Sequence, residues 1–111
     1  MSKLILTVEE SGRQMIAEFN RETVASMEDR GITPEKVADR PTNGIPLFFY
    51  WSFKKNHPKV KKDETDALFE GLSAEDKKAV ITRLMEMWTE AQESLMSEPE
   101  ETTKKVKWEI G

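Results

Sequence analysis

Few residues in this chain have side chains suited to chemistry. There is one histidine, His57, and there is no cysteine. The lack of cysteine excludes disulfides, thiolate catalysis and Cys-based zinc sites. A catalytic histidine needs a nucleophile or a second ligand within reach. His57 stands instead before Pro58, among Lys54, Lys55, Lys59, Lys61 and Lys62. It reads as a solvated residue closing a helix. Glu86, Glu90 and Glu93 have helical spacing, which could gather carboxylates on one face. With no histidine near them they read as a solvated polar face rather than a metal site. There is no phosphate loop, dinucleotide fingerprint, H-E-x-x-H pair or calcium loop. The expectation is a non-enzymatic protein with no cofactor and no metal.

The stretch I-P-L-F-F-Y-W-S-F, residues 45–53, carries a different kind of chemistry. It holds five of the nine aromatic side chains: Phe48, Phe49, Tyr50, Trp51 and Phe53. Wound at about 100° per residue it has no polar face. Ile45, Phe49, Ser52 and Phe53 cover one side, Phe48 and Trp51 the next, Leu47 and Tyr50 the rest. A membrane span needs about 20 apolar residues, and Lys54-Lys55 follows at once. Aromatics beside lysines also fit a stacking platform for single-stranded nucleic acid, the alternative function for this chain. Stacking requires exposed rings, however, and these rings surround a helix. The reading preferred here is a helix packed within its own domain, with part of its apolar surface left for a partner.

The other elements must position that helix. Residues 3–19 alternate with a period of two about Ser11-Gly12, which predicts a β-hairpin. A helix follows with Asn20 as N-cap, Phe19 and Val24 as hydrophobic staple, and Gly31 just past its end. Thr33-Pro34 opens a short helix over residues 34–38. Residues 39–44, with Pro41, Asn43 and Gly44, read as a turn. The aromatic helix is expected over about residues 45–56, with Pro46 in its first turn. A basic connector spans residues 54–62, and a short helix spans residues 63–70. The longest helix runs over about residues 74–96, capped by Ser73. Val80, Leu84, Met87, Ala91 and Leu95 form its apolar stripe, widened by Ile81, Met85 and Trp88. Residues 97–103 are a polar linker. In residues 104–110, Val106, Trp108 and Ile110 alternate with charges, as in a short strand. Two placements fit that strand: pairing with the hairpin, or capture by a partner.

At 111 residues the chain is one domain, and it buries roughly two thirds of its unfolded surface. The net charge of −4 and a charged fraction of 34% favour solubility and disfavour general nucleic-acid binding. Six methionines offer adaptable apolar surface. The N-terminal M-S-K-L-I-L-T-V lacks a signal peptide's apolar region, so the cytoplasm is expected.

Taken in order, these features resemble the tail assembly chaperones of long-tailed bacteriophages and prophages, in the version common in Gram-positive hosts. The marks are the hairpin; Arg21, Thr23, Val24, Met27, Glu28 and Gly31; Pro41 before Phe48, Phe49, Phe53 and His57; Glu86-Met87-Trp88 with Leu95-Met96; and Val106-x-Trp108. The chain departs from the family pattern at Trp51 and Ser52, where small residues are usual. It departs again at Lys54, Lys55 and Asn56, which replace an aromatic-to-His run. The resemblance implies a protein that binds the long tape-measure protein, keeps it soluble and helps recruit tail-tube subunits. It implies work in the host cytoplasm and absence from the finished virion.

The combined expectation is an α+β, mainly α fold: a hairpin, with or without a C-terminal strand, on four to five helices. Residues 1–97 form the domain, and residues 98–111 are linker and strand or tail. The expected partners are the tape-measure protein, the tail-tube protein and further copies of the chain in a homo-oligomer. The residues expected to meet partners are Phe48, Trp51, Met85, Trp88, Val106 and Trp108.

Overall fold

A computed structural model describes residues 2–97 and 104–111. The order is β1 (Lys3–Thr7), β2 (Gln14–Glu18), α1 (Arg21–Asp29), α2 (Pro34–Asp39), α3 (Pro41–Ser52), α4 (Lys62–Glu70) and α5 (Ala74–Glu93), closed by a 3-10 turn at Ser94–Met96. The fold is α+β and mainly α.

The hairpin follows the alternation. β1 and β2 pair antiparallel, with Leu4 opposite Ala17 and Leu6 opposite Met15. These four residues share one face, and Leu6, Met15 and Ala17 are buried. Val8 donates to the Arg13 carbonyl at 2.8 Å, and Gly12 takes φ +71° in the turn between them. That backbone region is strained for any residue with a Cβ.

The helix starts are set by local side chains. Asn20, Thr33 and Ser73 each accept a backbone N–H in the first turn of α1, α2 and α5. Each satisfies a donor that has no partner within the helix. Gly31 ends α1 with φ +71°, and the Ile32 N–H returns to the Met27 carbonyl at 2.8 Å.

The aromatic helix differs from the sequence reading at both ends. Residues 41–44 are not a turn but the first turn of α3. Pro41 takes the favoured first helical position, and Pro46 lies inside the helix, where it leaves the Thr42 carbonyl without its i+4 donor. The cause lies partly in tertiary structure. A Cβ on Gly44 would sit 2.8 Å from the Val37 Cα, so α2 and α3 meet backbone to backbone there. The helix also stops earlier than expected, at Ser52, and residues 53–56 turn back with His57 N–H donating to the Phe53 carbonyl at 2.8 Å.

The core lies between the hairpin, α1, α3 and α5. Phe19, Val24, Met27, Phe48, Phe49, Phe53, Leu84, Met87, Trp88 and Ala91 are all buried in it. The stripe expected along α5 is enclosed from Leu84 to Ala91, while Leu95 lies on the 3-10 turn and is exposed. The C-terminal segment differs more. Residues 104–111 form no strand, and the sheet holds β1 and β2 among the described residues. The alternation of Val106, Trp108 and Ile110 supplies a strand's pattern without the neighbouring backbone that would complete a ladder. The expected polar linker falls mostly on residues 98–103, outside the described residues.

Candidate partner-binding surface

The six residues expected to meet a partner are not brought together. Two of them form the centre of the core. Phe48 from α3 and Trp88 from α5 are 0% and 2% exposed. Their rings lie 5.6 Å apart, and Phe19, just past β2, packs on both at 5.3 and 6.0 Å. This three-ring contact ties hairpin, α3 and α5 together, so neither side chain presents surface to a partner. The physical reason is that α3 is apolar all round, and its Phe48 side is the one that meets Phe19 and α5.

Trp51 and Met85 are half-buried. The Arg30 guanidinium sits over the Trp51 ring at 4.9 Å, and the Lys54 ammonium lies 5.8 Å from the same ring and 5.1 Å from Tyr50. Lys54 also reaches the Tyr50 hydroxyl at 3.1 Å. Cations held over these rings compensate the half-exposed aromatic faces. Phe49 and Phe53, like Phe48, are enclosed. That leaves Tyr50 and Trp51 as the only partly open rings of the aromatic stretch, a poor stacking platform for nucleic acid.

Val106 and Trp108 are exposed, Trp108 at 80%. They belong to a broader concentration. Among the described residues the exposed large apolar side chains are Ile5, Leu95, Met96, Val106, Trp108 and Ile110. All but Ile5 lie beyond α5, at the C-terminal end of the chain. The fold thus encloses most of the apolar surface of residues 2–93 and leaves that of the C-terminal end uncovered.

The glutamates of α5 are organised by a cation. Arg83 reaches Glu86 at 2.9 Å and Glu90 at 3.4 Å. The Glu90 carboxyl is held below its ordinary pKa, chiefly by the Ser2 hydroxyl and further by Arg83, against some desolvation. Among the described residues no three potential ligands gather as a metal site.

His57 takes a role that sequence reasoning missed. Its Nε2 accepts from the Ile16 N–H at 2.9 Å, across 41 positions of sequence. Accepting at Nε2 requires a neutral ring with its proton on Nδ1. Next to it, Asn56 Nδ2 reaches the Ile16 carbonyl at a long 3.5 Å and donates to Glu18 Oε1 at 3.1 Å. Lys55 pairs with the same carboxylate at 3.1 Å. Lys55, Asn56 and His57 therefore cap the outer edge of β2 with side chains. Burial alone would raise the Glu18 carboxyl, but the hydrogen bonds from Asn56 and Lys55 and the charges of Lys55 and Lys3 outweigh it and hold it below its ordinary value. The only sequence signal was Glu18 at a strand end, a carboxylate in need of partners.

The whole chain, residues 1–111, matches the family described as Domain of unknown function (DUF5055). The chain belongs to this family. No curated protein and no solved structure matches it. Among the described residues no helix of this DUF5055 protein is long and apolar enough to cross a membrane.

Proposed function

We propose that this protein is a non-enzymatic tail assembly chaperone that binds a tape-measure protein and helps recruit tail-tube subunits in the host cytoplasm. The observation that carries the reading is the apolar surface left open at the C-terminal end. Met96 is 88% exposed and Trp108 80%, with Leu95, Val106 and Ile110 also exposed. A chaperone for a long helical client needs open apolar surface on a well-soluble body. The ordered sequence marks support the same reading, from the hairpin to Val106-x-Trp108.

The expected client is an apolar, helix-forming segment of the tape-measure protein. Co-expression tests this. The full chain is expected to keep a tape-measure fragment in the soluble fraction, and a chain with Val106→Ser and Trp108→Ser is expected to lose most of that effect. No gain in client solubility with the full chain would contradict the proposal.

A further inference from the structure

The two edges of the hairpin are treated differently. Leu4–Ala17, Leu6–Met15 and Val8–Arg13 are the hydrogen-bonded pairs of the ladder, as the 2.8 Å bond from Val8 to Arg13 marks. In an antiparallel pair the alternate residues turn their N–H and C=O outward. Those are Gln14, Ile16 and Glu18 on β2, and Lys3, Ile5 and Thr7 on β1. The β2 edge is capped at Ile16 by His57 and Asn56. Among the described residues no hydrogen bond reaches the backbone of Lys3, Ile5 or Thr7. All three are exposed, Ile5 at 55%. An open edge carrying an exposed isoleucine is a template for another strand.

We infer that the β1 edge is a strand-accepting site and that its occupant is the chain's own C-terminal segment, residues 104–110. Three observations select this occupant. The first is apolar matching. Among the described residues Ile5 is the one exposed large apolar residue outside the C-terminal end, and it shares a face with half-buried Ile16. Val106, Trp108 and Ile110 stand on one side of an extended segment and would continue that face.

The second is charge. With the apolar side so placed, Lys105, Lys107 and Glu109 fall on the opposite face, two positive charges to one negative, on the side of Leu4 and Leu6, against which α5 packs. Glu90 of α5 lies beside Ser2 at the start of β1, and Glu93 follows one turn later.

The third is reach. The seven steps from Glu90 to Ser97 advance only about 10 Å in helical form. Residues 98–103 can span about 20 Å. The segment therefore returns to β1 without strain on its tether.

The inference concerns the isolated chain and does not depend on what the client is. Because the protein has no cysteine, an engineered pair reports cleanly. The full-length chain carries Ile5→Cys with one further cysteine, placed in turn at each position from 106 to 110, and is oxidised at micromolar concentration without client. Neighbouring strands bring facing Cα atoms to about 5.5 Å, within disulfide range. A segment held by a short tether has an effective concentration on the order of millimolar, so the intramolecular bond is favoured about a hundredfold or more over the intermolecular one. The expected result is an intramolecular disulfide at positions 106, 108 or 110, and at least tenfold less at 107 and 109. Equal yields at all five positions, bonds only between molecules, or yields no higher than those of a control pair using Glu28→Cys would each overturn the inference. None of these results would touch the chaperone reading, which is measured on client solubility.

Discussion

The Nε2 of His57 accepts a hydrogen bond from the Ile16 N–H at 2.9 Å. A side chain from the turn after α3 thereby occupies the place of a third strand at the β2 edge. The Phe53 ring lies 6.3 Å from the imidazole and helps hold it there. His57→Ala removes the acceptor and part of that packing. A loss of about 1–3 kcal/mol is expected, read from the midpoint of urea unfolding. His57→Gln keeps an acceptor oxygen and should recover part of it. An unchanged midpoint in the alanine variant would show that the bond contributes nothing.

Glu18 makes stability depend on pH in a stated direction. Its folded pKa is depressed by Asn56 and Lys55 despite burial. In the unfolded chain it returns to about 4.3. The folded state then holds the proton less readily than the unfolded state. Its stabilisation is complete above the unfolded pKa and is lost as pH falls through the folded value. Glu18→Gln should cost about 1–2 kcal/mol at neutral pH. The gap between the two proteins should close in acid, below the ordinary carboxylate range. A gap that stays constant from neutral pH into that acid range would refute this account of Glu18.

Gly44 tests the contact between α2 and α3. Alanine improves an ordinary helix position by about 1 kcal/mol over glycine. Here the added Cβ would lie 2.8 Å from the Val37 Cα. Gly44→Ala is therefore expected to destabilise, by about 1–3 kcal/mol, through overpacking. A stabilised variant would mean that the two helices separate at little cost.

Trp88 and Trp108 should separate stability from binding. Trp88→Ala opens a cavity beside Phe19 and Phe48 and should cost about 3–5 kcal/mol. Trp108 is exposed and packs on nothing enclosed. Trp108→Ala should move the unfolding midpoint by less than about 0.5 kcal/mol. Thermal unfolding of both variants checks the contrast.

Local chemistry made much of the fold legible. The hairpin, three helix caps and the glycine after α1 depend on residues within a few positions of each other. The boundary at α3 did not follow from local signals. Pro41, Asn43 and Gly44 have turn chemistry, and only the approach of Val37 shows why a glycine belongs inside that helix. The residues expected to meet a partner divide by burial: Val106 and Trp108 stand exposed beyond the core, whereas Phe48 and Trp88 lie inside it. A helix apolar on every side does not reveal which side its neighbours cover, and Phe19 decides that from nearly thirty positions away. The role of His57 was hidden for the same reason: its partner is a backbone N–H forty-one residues distant.

The central claim is that the exposed C-terminal apolar side chains are the client-binding surface. Equilibrium titration of a labelled tape-measure segment with purified protein tests it most directly. Truncating an anchoring aromatic typically costs at least about 2 kcal/mol, roughly thirtyfold in Kd. Trp108→Ala is expected to weaken binding by that factor while the protein stays folded. Equal affinity of the variant and the parent chain would contradict the account.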